Sequence, residues 1–495
     1  MKNFKQFICK FSFLIIILIV FPTMSVISQS IPDSLWSKTL GNDYTDEFTD
    51  ITLSSNSPNE FVAVGTSESF ENYDDIWIVK MDYSGNVLWE KKYGGIGSDV
   101  ASAIKATSDG GYIICGYSDS YLTTPGNDYN IVLLKIDQNG DSLWWKEFGV
   151  NTNEWDFSSD IIVTSDNGFV LSCETHSYGA LSRDLYIIKT DSDGNQEWST
   201  VVNEAYLDIS NEIQETIDNG YIICGGMGTG VSSQYVPYLV KLNSAGTVVW
   251  QKHYSSINNI GIFGEIRSLV VNPDGSYTLL ANIRTTDLDD IDDFTLIKVD
   301  NMGDTIWVKE YNDPGYDFGF KLKRLANNGY LMIGESFEQN EDYSSIHVMK
   351  TDSLGNINWK KNYKLKDDAH NAYSFTFLND SSIVIVGKIN QKNSGYLTDG
   401  FIIKLSKIGT STVINESISD NEILMYPNPS SGIINIDFQS DLVLSIYNSQ
   451  GVLIEEAKHI KGSSSYDLNG FSKGIYLFVF RDLKGNIFNN KIILQ

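Results

Sequence analysis

The chain has 495 residues, of which 42% are hydrophobic and 12% aromatic, with 40 glycines and only 9 prolines. It is too long for one ordinary core and too apolar for disorder, so it implies several domains or one large repeat array with many tight turns. The formal charge of −27 excludes nucleic acid and anionic membrane surfaces as partners, because both repel it.

The first element is an export signal. Lys2, Lys5 and Lys10 precede the apolar run from Phe11 to Pro22, and small or polar residues follow to Ser28. That order is a secretory signal peptide, residues 1–28, whose apolar run is shorter than the roughly 20 residues of a membrane span. Its removal takes away three lysines and no acid, leaving a mature charge of −30 and no transmembrane segment.

Residues 29–406 carry an internal repeat. Lysines recur at Lys80, Lys135, Lys189, Lys241, Lys298, Lys350 and Lys404, at intervals of 52 to 57 residues, each followed five residues later by a glycine. Nine residues after the first six stand Trp89, Trp144, Trp198, Trp250, Trp307 and Trp359. Each unit reads as two hairpins: the turn of KMDYSGNVLW carries the lysine-to-tryptophan pair, and turns such as Asp109-Gly110-Gly111 join the other two strands. Phe61, Tyr112, Phe169, Tyr221, Tyr277, Tyr330 and Ile383 open one strand of each unit. Four places later the residue is small (Gly65, Gly116, Cys173, Gly225, Ala281, Gly334 and Gly387), as close approach of neighbouring sheets requires.

Four strands per period of about 54 residues make a propeller blade. The seventh unit has Val413 where its tryptophan belongs, while Trp36 has no lysine before it. The two halves complement each other, so the expected fold is all-β: a seven-bladed β-propeller closed by its N-terminal strand. The tryptophans read as packing wedges with a bonded indole nitrogen, and the lysines as stems on apolar surface with the head paired to a carboxylate. Cys115, Cys173 and Cys224 read as small apolar residues on buried strands rather than as a disulfide.

Function in such a fold belongs to loops that depart from the repeat. The loops within blades, from SESFENYDD to INQKNSGYLTD, differ in length and sequence and lie on one face with the loops between blades; the opposite face has short turns. Trp155, Tyr206, Tyr254 and Tyr316, in the loops between blades, are the candidates for stacking on sugars. Asp287, Asp289, Asp290, Asp292 and Asp293 form the densest acidic cluster and are the candidate ligands for calcium, although the full pattern of a calcium loop is missing. No other cofactor is expected. TDSDGNQEW, Thr190 to Trp198, looks similar but is an ordinary strand turn. Asp46, Asp99, Asp208 and Asp317 each fall ten residues after a tryptophan, which suggests a side-chain bond to nearby backbone where the next blade begins. The five histidines are scattered and no catalytic motif is present, so a non-catalytic binding protein is expected; carboxylates from separate blades could still assemble to cleave a glycoside.

The blade pattern KxDxxGNxxW resembles the exported β-propeller proteins of Bacteroidetes-type bacteria, and also the quinoproteins. The period is longer than in quinoproteins and no adjacent cysteine pair exists. After a linker at 407–422, residues 423–495 resemble the C-terminal sorting domain of type IX secretion cargo. The matching elements are YPNPSSGIINIDF (Tyr426, Pro427, Asn428, Pro429, Gly432), LSIYNSQGVLI (Gly451), GIYLFVF (Gly474, Tyr476) and the final KIILQ. The resemblance implies a small β-sandwich, the type IX machinery as partner, and a secreted or outer-membrane-surface location. It leaves three functions: binding of a glycan, peptide or surface protein, hydrolysis or lysis of a polysaccharide, and a quinoprotein-like oxidoreductase.

Overall fold

The structure, a computed structural model, describes residues 31–408 and 424–494 apart from 58, 69–72, 121–127, 150–153, 179–182, 203–206, 231–233, 258–259, 286–292, 312–314, 339–342, 366–368, 391–396, 427–431, 438–441, 449–452, 461–463 and 483–486. Among the described residues all regular structure is β, and no helix is long and apolar enough to cross a membrane. The chain divides into two compact units, Met1–Thr412 and Val413–Gln495.

The first unit is a ring of seven antiparallel sheets. In blade 1 the strands Asp46–Leu53, Glu60–Glu68, Asp74–Asp82 and Val87–Tyr93 run from centre to rim. Blades 2 to 6 repeat this order behind the inner strands Asp99–Ala106, Asp156–Val163, Asp208–Glu215, Ile260–Val271 and Gly315–Arg324, and blade 5 adds the two-residue strand Ser256–Ile257. The two middle strands of each blade are buried on both faces, which explains continuous apolar runs such as YIICG. The rim strands alternate exposed charge with half-buried apolar residues, and those charges discourage edge-to-edge pairing.

Blade 7 consists of His370–Phe377, Ile383–Asn390 and Thr398–Leu405, with Ser34–Leu40 as its rim strand. Trp36 lies opposite Lys404, in the place that Trp89 holds opposite Lys80 and Trp359 opposite Lys350. The N-terminal strand therefore closes the ring. Each of the six motif glycines among the described residues has a left-handed backbone and lies against the tryptophan of the preceding blade. At Gly194 (φ 76°) a Cβ would sit 2.7 Å from the Trp144 ring, and at Gly85 (φ 82°) 3.2 Å from that of Trp36. The tryptophans are interblade wedges, as expected. The indole of Trp36 donates to the Tyr83 carbonyl at 3.2 Å, whereas the buried indole nitrogens of Trp89 and Trp359 have no partner.

Lys80 pairs with Glu60, Lys135 with Asp109, Lys189 with Asp166, Lys241 with Asp218 and Lys298 with Asp274, at 2.8 to 3.5 Å. Lys404 instead donates to the Tyr83 carbonyl at 3.1 Å and lies over that ring. Cys115, Cys173 and Cys224 are free and buried, and burial pushes Cys115 up to about 12.

One feature of the inner strands explains the small-residue position differently from the sequence. Every inner strand has a β-bulge at the same place, between Phe48 and Asp50 in blade 1, Ala101 and Ala103 in blade 2, and so on to Ala372 and Ser374 in blade 7. Beside the bulge the inner strand's carbonyl presses on the second strand: a Cβ at Gly65 would lie 1.8 Å from the Glu47 oxygen, and at Gly387 1.8 Å from that of Asn371. The closest approach comes from the inner strand of the same blade, and at Gly334 the Phe294 ring of the neighbouring blade adds a second, at 2.6 Å.

In the second unit, Leu424–Tyr426, Ile433–Asp437 and Ser464–Asp467 form one sheet, and Leu442–Asn448, Leu453–Ile460, Gly474–Asp482 and Ile487–Leu494 the other. Ile434, Ile436 and Tyr466 from the first share one core with Leu444, Ile446, Phe478 and Ile492 from the second, the packing of a small sandwich.

Candidate functional site

The bulge places one residue per blade on the wall of the central tunnel: Thr49, Ser102, Ser159, Asn211, Arg267, Phe320 and Tyr373. Bulges re-aim side chains in this way. The ring is lopsided. Blades 1 to 3 contribute hydroxyls, and several small polar groups point across to the next blade: Thr49 donates to Ala101 O at 3.0 Å, Ser102 to Ser158 O at 2.6 Å and Asn211 to Ile266 O at 2.9 Å. Blades 5 to 7 contribute bulk. The Arg267 guanidinium lies 5.0 Å over Phe318 and 5.8 Å over Phe320, and Phe320 meets Tyr373 edge-on at 5.0 Å. A cavity of about 310 Å³ remains inside this ring, lined by residues of all seven blades.

The charged groups around this cavity are neutralised within the protein. Lys105 bridges Asp50 at 3.1 Å and Asp160 at 3.0 Å, Lys321 pairs with Glu212 at 3.2 Å, Arg267 with Glu265 at 2.7 Å, and Lys388 with Glu47 at 3.2 Å. The acids also accept backbone N–H groups from the next blade, Asp50 from Ile104 at 3.0 Å, Asp160 from Ile213 at 3.2 Å and Glu212 from Leu269 at 3.2 Å. Burial works against ionisation of Asp50, but Lys105 and Lys321 outweigh it and hold its carboxyl well below the usual range. Burial, reinforced by Lys321, pushes Lys323 down to about 8. Near the mouth, burial pushes Glu335 up to about 7 although Asn371 donates to it and Lys388 and Arg267 lie near. Asp74 rises to about 6 through burial and the neighbouring Glu68 and Glu47. A second cavity, of about 620 Å³, opens on the opposite face beside Asp274, Lys298 and Trp307 of blade 5 and Arg324 and Tyr330 of blade 6.

The residues singled out from the sequence fall in different places. Trp155 is 48% exposed and meets Tyr129, Phe157 and His176 edge-on, at the rim between blades 2 and 3. Tyr316 is 49% exposed near the start of the inner strand of blade 6. Tyr254 is half-buried and donates to the carbonyl of Gly303 in the next blade at 2.9 Å, the same kind of contact that Tyr311 makes to Gly355. Tyr206 and Asp287 to Asp292 lie outside the described residues, and the backbone of Asp293 opens the strand Asp293–Val299. Asp46 and Asp99 do bond nearby backbone, accepting from Asn42 N at 2.6 Å and Gly95 N at 2.9 Å. The Asp191 carboxylate is occupied by the amides of Asp193 and Asn195, as an ordinary turn requires.

Of the sorting residues, Tyr426, Gly474 and Tyr476 lie on strands, and the Tyr476 hydroxyl donates to Ser472 O at 2.6 Å. Gly432 (φ 151°) packs against Asn469, where a Cβ would come within 2.2 Å of the side-chain oxygen. Pro427, Asn428, Pro429 and Gly451 lie outside the described residues, as does the signal segment 1–28.

Residues 424–495 match the family described as a secretion system C-terminal sorting domain. A funoran endo-beta-hydrolase of Wenyingzhuangia aestuarii is 33% identical over 95 residues, which span 18% of this chain and only 13% of that protein. Three solved structures are similar at low identity. They are a protein of unknown function from Dyadobacter fermentans (10% identical, 76% of this chain and 99% of that one, TM-score 0.45), the β-propeller domain of the Trilobed protease from Pyrococcus furiosus (9%, 75% and 99%, 0.43) and an alpha-L-arabinanase from Penicillium chrysogenum (9%, 77% and 99%, 0.44). The C-terminal unit thus matches a secretion system sorting domain, and the chain is an exported β-propeller protein that carries this match.

Proposed function

We propose that the type IX machinery exports this chain to the cell surface or medium, where the propeller binds a neutral glycan at the mouth of its central tunnel. The observation that carries the reading is the chemistry of the cavity. Its ions are paired with one another, so a charged ligand would meet no free counter-charge, while Thr49, Ser102, Ser159, Ser210, Asn211 and Tyr373 offer uncharged hydroxyl and amide groups. A polyhydroxylated, uncharged ligand matches such a surface. The exposed ring of Trp155 on the same face adds a stacking platform.

Ser159→Phe tests the site. Phenylalanine already occupies the equivalent bulge in blade 6, at Phe320, so the variant keeps the fold while filling part of the cavity. On an array of neutral glycans the wild-type chain retains at least one ligand and Ser159→Phe loses it by more than about tenfold, or roughly 1.4 kcal/mol. Equal binding by both would place the ligand elsewhere.

A polysaccharide hydrolase is the second reading. It is favoured by Glu335, which holds a proton near neutrality, together with the ion-paired Glu47 close to blade 7. In that case the chain releases reducing ends from its ligand and Glu335→Gln abolishes the release while leaving binding intact; binding without release by the wild type rejects it.

Export is tested by deleting residues 423–495. The propeller and the sorting sandwich have separate cores, so the truncated chain folds and accumulates in the periplasm instead of reaching the medium or surface. Normal secretion of the truncated chain would refute the sorting role.

A further inference from the structure

The central tunnel is closed just beneath the cavity. Asp50, Asp160 and Glu212 follow the bulge residues on the inner strands of blades 1, 3 and 4. Residues on the wall of an open tunnel would be wet, yet these three carboxylate residues are 7%, 4% and 5% exposed. Side chains fill that level. Lys105 of blade 2 joins the acids of blades 1 and 3, and Lys321 of blade 6 reaches across to Glu212 of blade 4. Ser374 of blade 7 completes the layer by donating to Asp50 at 2.7 Å. These four bonds form an ionic diaphragm that draws on six of the seven blades.

We infer that the cavity is a cul-de-sac that takes the terminal residue of a glycan chain and not an internal segment. This rests on the glycan reading of the cavity and adds the part of the chain that is bound. A polymer cannot thread through the diaphragm. Nor can it lie flat at that depth, because the inner strands of all seven blades wall the cavity, with Arg267, Phe320 and Tyr373 as its bulkiest lining. The remaining volume of about 310 Å³ is at the small end of ligand pockets, which run from about 300 to 1,000 Å³, and has room for one or two sugar rings. The terminal ring enters over the hydroxyls of Ser102 and Ser159, and the rest of the chain leaves through the mouth.

The test uses the full mature chain and calorimetric titration. The probes are methyl glycosides of glucose, galactose, mannose, xylose and arabinose, then linear oligosaccharides of two to six residues built from whichever binds, and finally the hexasaccharide with a bulky group on both ends. The expected result is binding of a methyl glycoside, a gain of up to about tenfold at the second residue, no further gain to six residues, and loss of binding when both ends are capped. Affinity that climbs steadily to six residues, or unchanged binding of the doubly capped chain, overturns the inference while the glycan reading stands. Absence of binding by every probe sinks the glycan reading and the inference with it. Ser159→Phe and Trp155→Ala separate the sites: loss in the first with retention in the second supports the cul-de-sac, and the reverse pattern overturns it.

Discussion

Deleting residues 31–40 lowers the stability of the propeller by on the order of 5 kcal/mol or more, a loss seen as a large fall in its urea midpoint. The segment is the rim strand of blade 7 but it touches three blades. It pairs with Thr398–Leu405 from Ser34 opposite Leu405 to Leu40 opposite Gly400. Trp36 packs against Gly85 and stacks near Phe61 in blade 1. Blade 6 reaches it through Tyr363, which donates to Pro32 O at 2.6 Å, and through Lys361, which pairs with Asp33 at 3.1 Å. Without the segment, Thr398–Leu405 becomes an edge strand with its ladder unpaired, and the cluster around Ile402 loses Trp36 and Leu40. Such an edge invites pairing with other chains, so the truncated protein also aggregates. Trp36→Ala alone removes the wedge but keeps the ladder, and its cost is smaller, on the order of 3 kcal/mol. Equal midpoints for the full and truncated chains would mean that three strands suffice for blade 7 and that the ring needs no clasp.

That clasp was legible in the sequence because closure repeats the same chemistry in every blade. A lysine and a tryptophan nine residues apart must face each other across a tight turn, so Lys404 without a tryptophan and Trp36 without a lysine announce one interrupted hairpin. The sorting domain was legible for a different reason: its tyrosine, proline and glycine positions stand in fixed order along one continuous stretch. The tunnel site was not legible. Its seven bulge positions hold Thr49, Ser102, Ser159, Asn211, Arg267, Phe320 and Tyr373, and a search for recurring residues passes over a position where the backbone recurs and the side chain does not. The bulge is itself a hydrogen-bonding event between strands, with no residue type that requires it. Variable loops drew attention because they vary visibly; the inner strands vary too, but inside a regular pattern of buried and half-buried residues. Tyr254 shows the converse. It lies in an irregular stretch, yet its hydroxyl ties blade 4 to blade 5.

Lys105→Met destabilises the propeller by about 3–5 kcal/mol at pH 7, because it strands two buried carboxylates around one lost cation. Asp50 retains the Ile104 amide, the Ser374 hydroxyl and the more distant Lys321, and Asp160 retains the Ile213 amide, but neither keeps an ion pair within 4 Å. Methionine matches the length of the lysine stem, so lost packing is a small part of the effect. The pH dependence identifies the cause. In the wild type the folded-state Asp50 titrates well below its unfolded value of about 3.9, so its contribution is fully present above about pH 4 and is lost as the pH falls toward the folded value. In Lys105→Met the Asp50 carboxyl loses the charge that held it down, and its folded-state value rises. The penalty of the variant then grows as the pH rises through that raised value and shrinks in acid, where protonation removes the stranded charge. Chemical denaturation of both proteins between pH 4 and 8 checks this, with a gap that narrows toward pH 4. Adding Asp50→Asn and Asp160→Asn to Lys105→Met recovers most of the loss at pH 7, since amides have no charge to strand. A gap that is constant with pH and unrelieved by the two amides would assign the loss to the stem, and the diaphragm would then be held by packing instead of charge.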